Sequence, residues 1–150
     1  MDIEQIEHAR AQALAIFEAG VARVKGFNAV ADYLTQNPIA DDYHLISVGK
    51  AGSSMALGAL SVLKNRIVSG LVITKHEHIE DELREYDNLI CIESDHPVPG
   101  DASIASGEAL LDYIQKADQE AKFLVLISGG ASSLMEVLAT GMSPVSYTHL

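Results

Sequence analysis

A chain of 150 residues is long enough for one domain with its own apolar core. At 48% hydrophobic residues it is not a disordered tract, and no stretch is long and apolar enough to span a bilayer. A formal net charge of −11 argues against nucleic acid or anionic membrane as partners, since both draw basic surfaces, but it leaves room for a phosphate held locally. The start, Met1-Asp2-Ile3-Glu4-Gln5, lacks the basic-then-apolar order of a secretory signal. The single cysteine, Cys91, lies in an apolar run and reads as a small core residue, so a cytoplasmic setting without disulfides fits. The six histidines form no zinc-spaced cluster, and the closest pair, His76 and His78, reads as a surface turn.

Asp2 to Gln36 reads as helix, because Ile3, Ile6, Ala9, Ala13, Leu14, Phe17, Val21 and Val24 recur near the helical period. Gly26-Phe27-Asn28 should break it, with Asn28 capping a second short helix through Leu34 and Asn37-Pro38 ending that helix. His44 to Val48 is the first strand. It runs into Gly49-Lys50-Ala51-Gly52-Ser53-Ser54 and then a helix carrying Met55, Leu57, Leu60, Val62 and Leu63. This loop is neither a Walker A motif nor the G-x-G-x-x-G dinucleotide fingerprint. Lys50 stands where a strand ends beside a helix N-terminus, so its charge joins backbone donors suited to a phosphoryl group or carboxylate. Its plainer reading is an exposed surface lysine.

Gly70 to Lys75 is the second strand, His76 to Asp87 a polar acidic connection with helix potential around Glu80–Tyr86, and Asn88 to Glu93 the third strand. Ser94 to Asp101 follows as a loop stiffened by Pro97, Pro99 and Gly100, and Asp101 or Ser103 can cap the next helix, Ala102 to Ala117. Glu93, Asp95 and His96 would stand together at a strand's carboxyl end. There they could hold a substrate hydroxyl, take a proton or bind Mg²⁺ through water. The plainer reading is that His96 ties the loop to itself.

Lys122 to Leu138 is the organising stretch: a buried strand Phe123–Ile127, a tight loop Ser128-Gly129-Gly130-Ala131-Ser132-Ser133, and a helix resuming at Leu134. Glycines let the backbone approach a ligand, and the serine hydroxyls add donors; serines serving only as caps are the alternative. Strands apolar on both faces alternate with helices, the pattern of an α/β fold with a mostly parallel sheet, helices on both faces and an N-terminal helical segment. The three unusual loops all follow strands, so such a sheet would gather them at one edge.

Four segments in order, SVGKAGSSMALGAL, GLVITKHEH, ESDHPVPGDAS and LISGGASSL, resemble the N-terminal domain of class II glycerate kinases, the family that also carries a C-terminal MOFRL domain. The resemblance covers nearly all of the chain to about Met142. It implies a Rossmann-like domain facing a smaller one, ATP-dependent phosphorylation of D-glycerate, with the 2-phosphate favoured over the 3-phosphate as product, and Mg²⁺ as cofactor with ATP. No nucleic acid or membrane partner is implied, and a homodimer is compatible. Carried over by motif, Lys50 matches the lysine taken as catalytic. Gly49, Ser53, Glu93, His96, Ser128, Gly129, Gly130, Ser132 and Ser133 become the substrate- and phosphate-binding candidates, with no metal ligand assigned.

Two departures stand out. Gly100 occupies a position that is often acidic in the family, which leaves Asp101 without a clear role. The family also continues for a few hundred residues and supplies further groups, including an arginine. Residues 1–143 therefore read as a truncated N-terminal domain with the MOFRL domain absent, 144–150 as a non-native tail, and the piece alone as inactive. The alternatives are a hydroxypyruvate reductase, which the missing dinucleotide fingerprint disfavours, and a non-catalytic sugar-phosphate-binding domain of the sugar isomerase type, which needs no lysine.

Overall fold

The computed structural model describes residues 2–139. Two helices, α1 (Ile3–Val24) and α2 (Gly26–Gln36), precede β1 (Tyr43–Val48), α3 (Gly52–Leu63), β2 (Ile67–Lys75), β3 (Leu89–Ser94), α4 (Asp101–Lys116), β4 (Phe123–Ile127) and the short α5 (Ala131–Leu134). The strands form one parallel sheet in the order β3-β2-β1-β4. Along a strand, successive side chains point to opposite faces, and this divides the core in two. Leu45 and Val72 pack under α3 with Ala56, Ala59, Leu60 and Leu63, joined by Leu34 of α2 and by Ile79 and Leu83 of the β2–β3 connection. Ile46, Val48, Leu71 and Ile73 pack on the other face with Leu134, Leu110 and Tyr113. The α/β expectation, a parallel sheet with helices on both faces, is met.

Several boundaries differ from the sequence reading, each for a physical reason. Asn28 does not cap α2: it lies in that helix's first turn, and its amide donates to Ala22 O of α1 at 2.7 Å. The break falls at Lys25, whose ψ of 138° leaves the helical range. The second strand starts at Ile67 after a 3₁₀ turn at Lys64–Arg66, and the helix potential in the acidic connection becomes a 3₁₀ turn at Asp81–Glu85.

Neither Asp101 nor Ser103 acts as the simple cap of α4. Gly100 is the N-cap residue, and Asp95 Oδ2, from across the loop, accepts the Ala102 N–H at 3.1 Å. Ser103 works backwards, its hydroxyl accepting from Gly100 N at 3.2 Å.

The helix after the Gly/Ser loop is Ala131–Leu134 and stops where a continuation from Leu134 was expected. Its last carbonyls are taken by hydroxyls, Ser133 O by Ser103 Oγ and Leu134 O by Ser94 Oγ, both at 2.7 Å. Glu136 N then donates to Ser103 O at 2.9 Å, and Met135 is extended. Nor is β4 a fully buried strand: Leu124 and Leu126 pack inward, while Val125 is 51% and Ile127 65% exposed. The segment 144–150 lies outside the described residues.

Candidate active site

The order β3-β2-β1-β4 reverses direction beside β1, so the crevice at the carboxyl ends of β1 and β4 is a topological switch point, where open α/β sheets bind ligands. Both strands end there in glycine- and serine-rich loops, and the two loops lock together. Gly49 turns with φ 125°, and a Cβ on it would lie 2.2 Å from Ser128 Oγ. Ser128 Oγ accepts the Ala51 N–H at 3.0 Å, and Lys50 N donates to Gly129 O at 3.0 Å. Ser128 thus fixes the turn that presents Lys50.

The Lys50 residue is exposed, and its side chain runs along the second loop. A Cβ on Gly129 would stand 3.8 Å from Lys50 Cε, and one on Gly130 3.2 Å from Lys50 Cγ. The same Gly130 position would meet His96 Nε2 at 2.8 Å. Lys50, Gly129, Gly130 and the half-buried His96 therefore surround one small region with a mobile ammonium on one side and an imidazole on the other. Ser133 Oγ donates to Gly130 O at 3.0 Å and holds the turn, whereas Ser132 is exposed.

Two candidates are engaged elsewhere. Ser53 is 3% exposed, and its hydroxyl accepts Glu80 N at 2.8 Å, so it anchors the β2–β3 connection to α3. Glu93 registers with Thr74 on the α3 face of the sheet and meets Arg84 at 3.9 Å rather than joining His96. Asp95 pairs with the exposed His76 at 3.2 Å and caps α4, so the trio of Glu93, Asp95 and His96 does not act as one cluster. Among the described residues no three His, Cys, Asp or Glu side chains stand close enough to hold a metal ion. Sequence reasoning missed the roles of Asp95 and of the Ala51 amide. The first could have been sought as an acidic residue a few positions ahead of a glycine N-cap; the second had no local signal, because its partner is 77 positions away.

A family model described as a domain of unknown function, DUF4147, matches residues 12–149. The chain is 35% identical over 99 residues to the D-glycerate 2-kinase of Thermotoga maritima, covering 66% of this chain and 23% of that protein. It is 28% identical over 142 residues to the glycerate 2-kinase of Picrophilus torridus, covering 92% of this chain and 33% of that protein. A crystal structure of glycerate kinase from Thermotoga maritima superposes with a TM-score of 0.85 at 31% identity, over 95% of this chain and 34% of that one. The chain spans 23% and 33% of the lengths of those two curated relatives.

Proposed function

Since the chain belongs to the DUF4147 domain family, whose model matches residues 12–149, we propose that it forms the Lys50-bearing part of a glycerate 2-kinase. In that reaction the terminal phosphoryl group of ATP passes to the 2-hydroxyl of D-glycerate. The observation that carries the reading is the convergence of Lys50, His96, Gly129 and Gly130 at the carboxyl ends of β1 and β4. Phosphoryl transfer asks a protein mainly for positioning and for charge that follows the moving group, and this crevice offers both.

Lys50 neutralises the phosphoryl oxygens as the bond from the terminal phosphorus to the bridging oxygen of ADP breaks and the bond to the glycerate oxygen forms. The backbone at Ser128–Gly130 leaves room for an oxyanion to approach closely. His96 is the candidate acceptor of the proton released by the glycerate hydroxyl, at the nitrogen that faces Gly130. Ser132, exposed on the same turn, is the serine free to reach substrate, while Ser53, Ser128 and Ser133 hold the loops. Mg²⁺ belongs to the reading as the companion of ATP phosphates; the described residues provide no cage of three His, Cys, Asp or Glu side chains for it. The setting proposed is the cytoplasm, where ATP is available.

Residues 1–143 are read as one part of a longer kinase. The test is ADP release with D-glycerate by a protein of the relatives' full length that carries this region. Lys50→Ala should lower that rate by about 10²–10³-fold, the size of losing one preorganised charge contact. The 150-residue chain alone should release ADP from ATP no faster with D-glycerate than without. A glycerate-dependent rate of the short chain that vanishes with Lys50→Ala would overturn that division.

A further inference from the structure

Besides the Gly129–Gly130 turn, Lys50 borders a second space, a groove of ≈ 980 Å³ on the α3 side of the sheet. That volume lies at the upper end of the roughly 300–1,000 Å³ typical of small-molecule sites. Its walls include Phe27 at the start of α2, Leu57 and Ser61 on α3, and Ile79 and Tyr86 on the β2–β3 connection, with Val24 at the end of α1. Apolar and aromatic surface thus lines the groove together with positive charge, because Lys25 and Lys50 both border it near Ala51 at the start of α3.

Glu77 also lines the groove, two positions past the end of β2. In sheets with strand order 3-2-1-4, the turn after β1 receives phosphate, and an acidic side chain about 20 residues further on accepts the ribose hydroxyls. Here the turn after β1 is Gly49–Gly52 and the acidic residue beyond β2 is Glu77, so the groove joins the two positions such a ligand would bridge.

We propose that this groove is the nucleotide subsite. The base lies against Phe27, Ile79 and Tyr86, the ribose hydroxyls donate to Glu77, and the phosphates run toward Lys25, Lys50 and the first turn of α3. Lys50 then stands between two compartments, nucleotide on the α3 side and acceptor on the His96–Gly130 side. This rests on the kinase reading for the identity of the ligand and adds to it the division of the site.

The test is titration of ADP into the 150-residue chain, followed by backbone amide resonances. Saturable binding is expected, with the largest shifts at Phe27, Glu77 to Glu80 and Tyr86. Tyr86→Ala should weaken ADP by about tenfold, the size of one lost base–aromatic stack. Leu57→Arg, which puts a long side chain into the groove, should weaken it at least as much, and Tyr86→Ala serves where Leu57→Arg disturbs folding, since Tyr86 is 40% exposed. No saturable binding, shifts confined to Gly129–Ser133 and α4, or unchanged affinity in Tyr86→Ala would each overturn the proposal. The two readings fail separately. Groove binding by ADP without phosphorylation of D-glycerate by the longer protein removes the kinase reading, and phosphorylation with ADP shifts elsewhere removes this one.

Discussion

At Gly130 the backbone turns with φ 88°, and the residue's bare α-carbon faces His96 Nε2 and Lys50 Cγ. Gly130→Ala meets two penalties there. A left-handed conformation costs an L-residue about 1–2 kcal/mol, and the new methyl would push His96 or Lys50 from its place. We expect the urea midpoint to fall by the equivalent of that strain, measured by circular dichroism, while in the proposed longer kinase activity should fall further than the stability loss explains. An unchanged midpoint would mean that the turn relaxes to accept the methyl group. Lys50→Ala should behave oppositely: an exposed lysine whose backbone, not side chain, makes the hydrogen bond to the second loop should change stability by no more than about 0.5 kcal/mol.

Among the elements, α4 and its approach loop show how a helix start can be assembled from a distance. Asp95 caps Ala102 from seven positions away, while Asp101, inside the first turn, is exposed and makes no cap bond. Asp95→Ala should therefore lower thermal stability by about 1 kcal/mol, and Asp101→Ala should lose only the weaker helix-dipole contribution of a few tenths; equal effects from the two variants would contradict the assignment. At the other end of α4, Tyr113 OH meets Ser69 Oγ at 2.7 Å, and Ser69 Oγ meets His44 Nδ1 at 2.9 Å. Burial pushes the Tyr113 phenol above its ordinary value, with the Ser69 hydrogen bond pulling the other way. A raised value in the folded state means a contribution to stability that is whole below the unfolded value of about 10 and is lost as pH rises through the folded value. In an absorbance titration Tyr113 should give a late-ionising component, and Tyr113→Phe should abolish it. A late component that survives the substitution would assign it to another tyrosine.

Across the whole molecule, order is unevenly distributed. Helix α3 buries Met55, Ala56, Ala59, Leu60 and Leu63, whereas α1 buries no residue and leaves Ile3, Leu14, Ile16, Phe17 and Val24 more than half exposed. Arg23 pairs with Asp32 across the α1–α2 corner, but an exposed ion pair adds little. Since protection from exchange follows burial and cooperative packing, amides in the first half of α1 should exchange far faster than those of α3 in the 150-residue chain. Equal protection, measured by hydrogen exchange and mass spectrometry, would show that something covers α1 in solution. The net charge of −11 belongs to this scale too: in the proposed kinase, phosphate would be held by local donors such as Lys50 and the loop amides, against the field of the chain as a whole.

The sequence by itself determined the elements that periodicity and composition can encode. Apolar runs marked all four strands, glycine and serine marked the loops at the ends of β1 and β4, and the family motifs singled out Lys50 and His96. It could not assign partners. Whether Ser128 serves a ligand or Ala51 N, whether Glu93 faces His96 or Arg84, and whether Asp95 or Asp101 caps α4 depend on strand order, register and facing, which residues far apart in the chain decide together. The early end of α5 has the same origin: its residues can continue a helix, but Ser94 and Ser103 reach its last carbonyls first. Tertiary structure also settled the exposure of β4, because an apolar strand is equally legible in sequence whether one or both of its faces are covered.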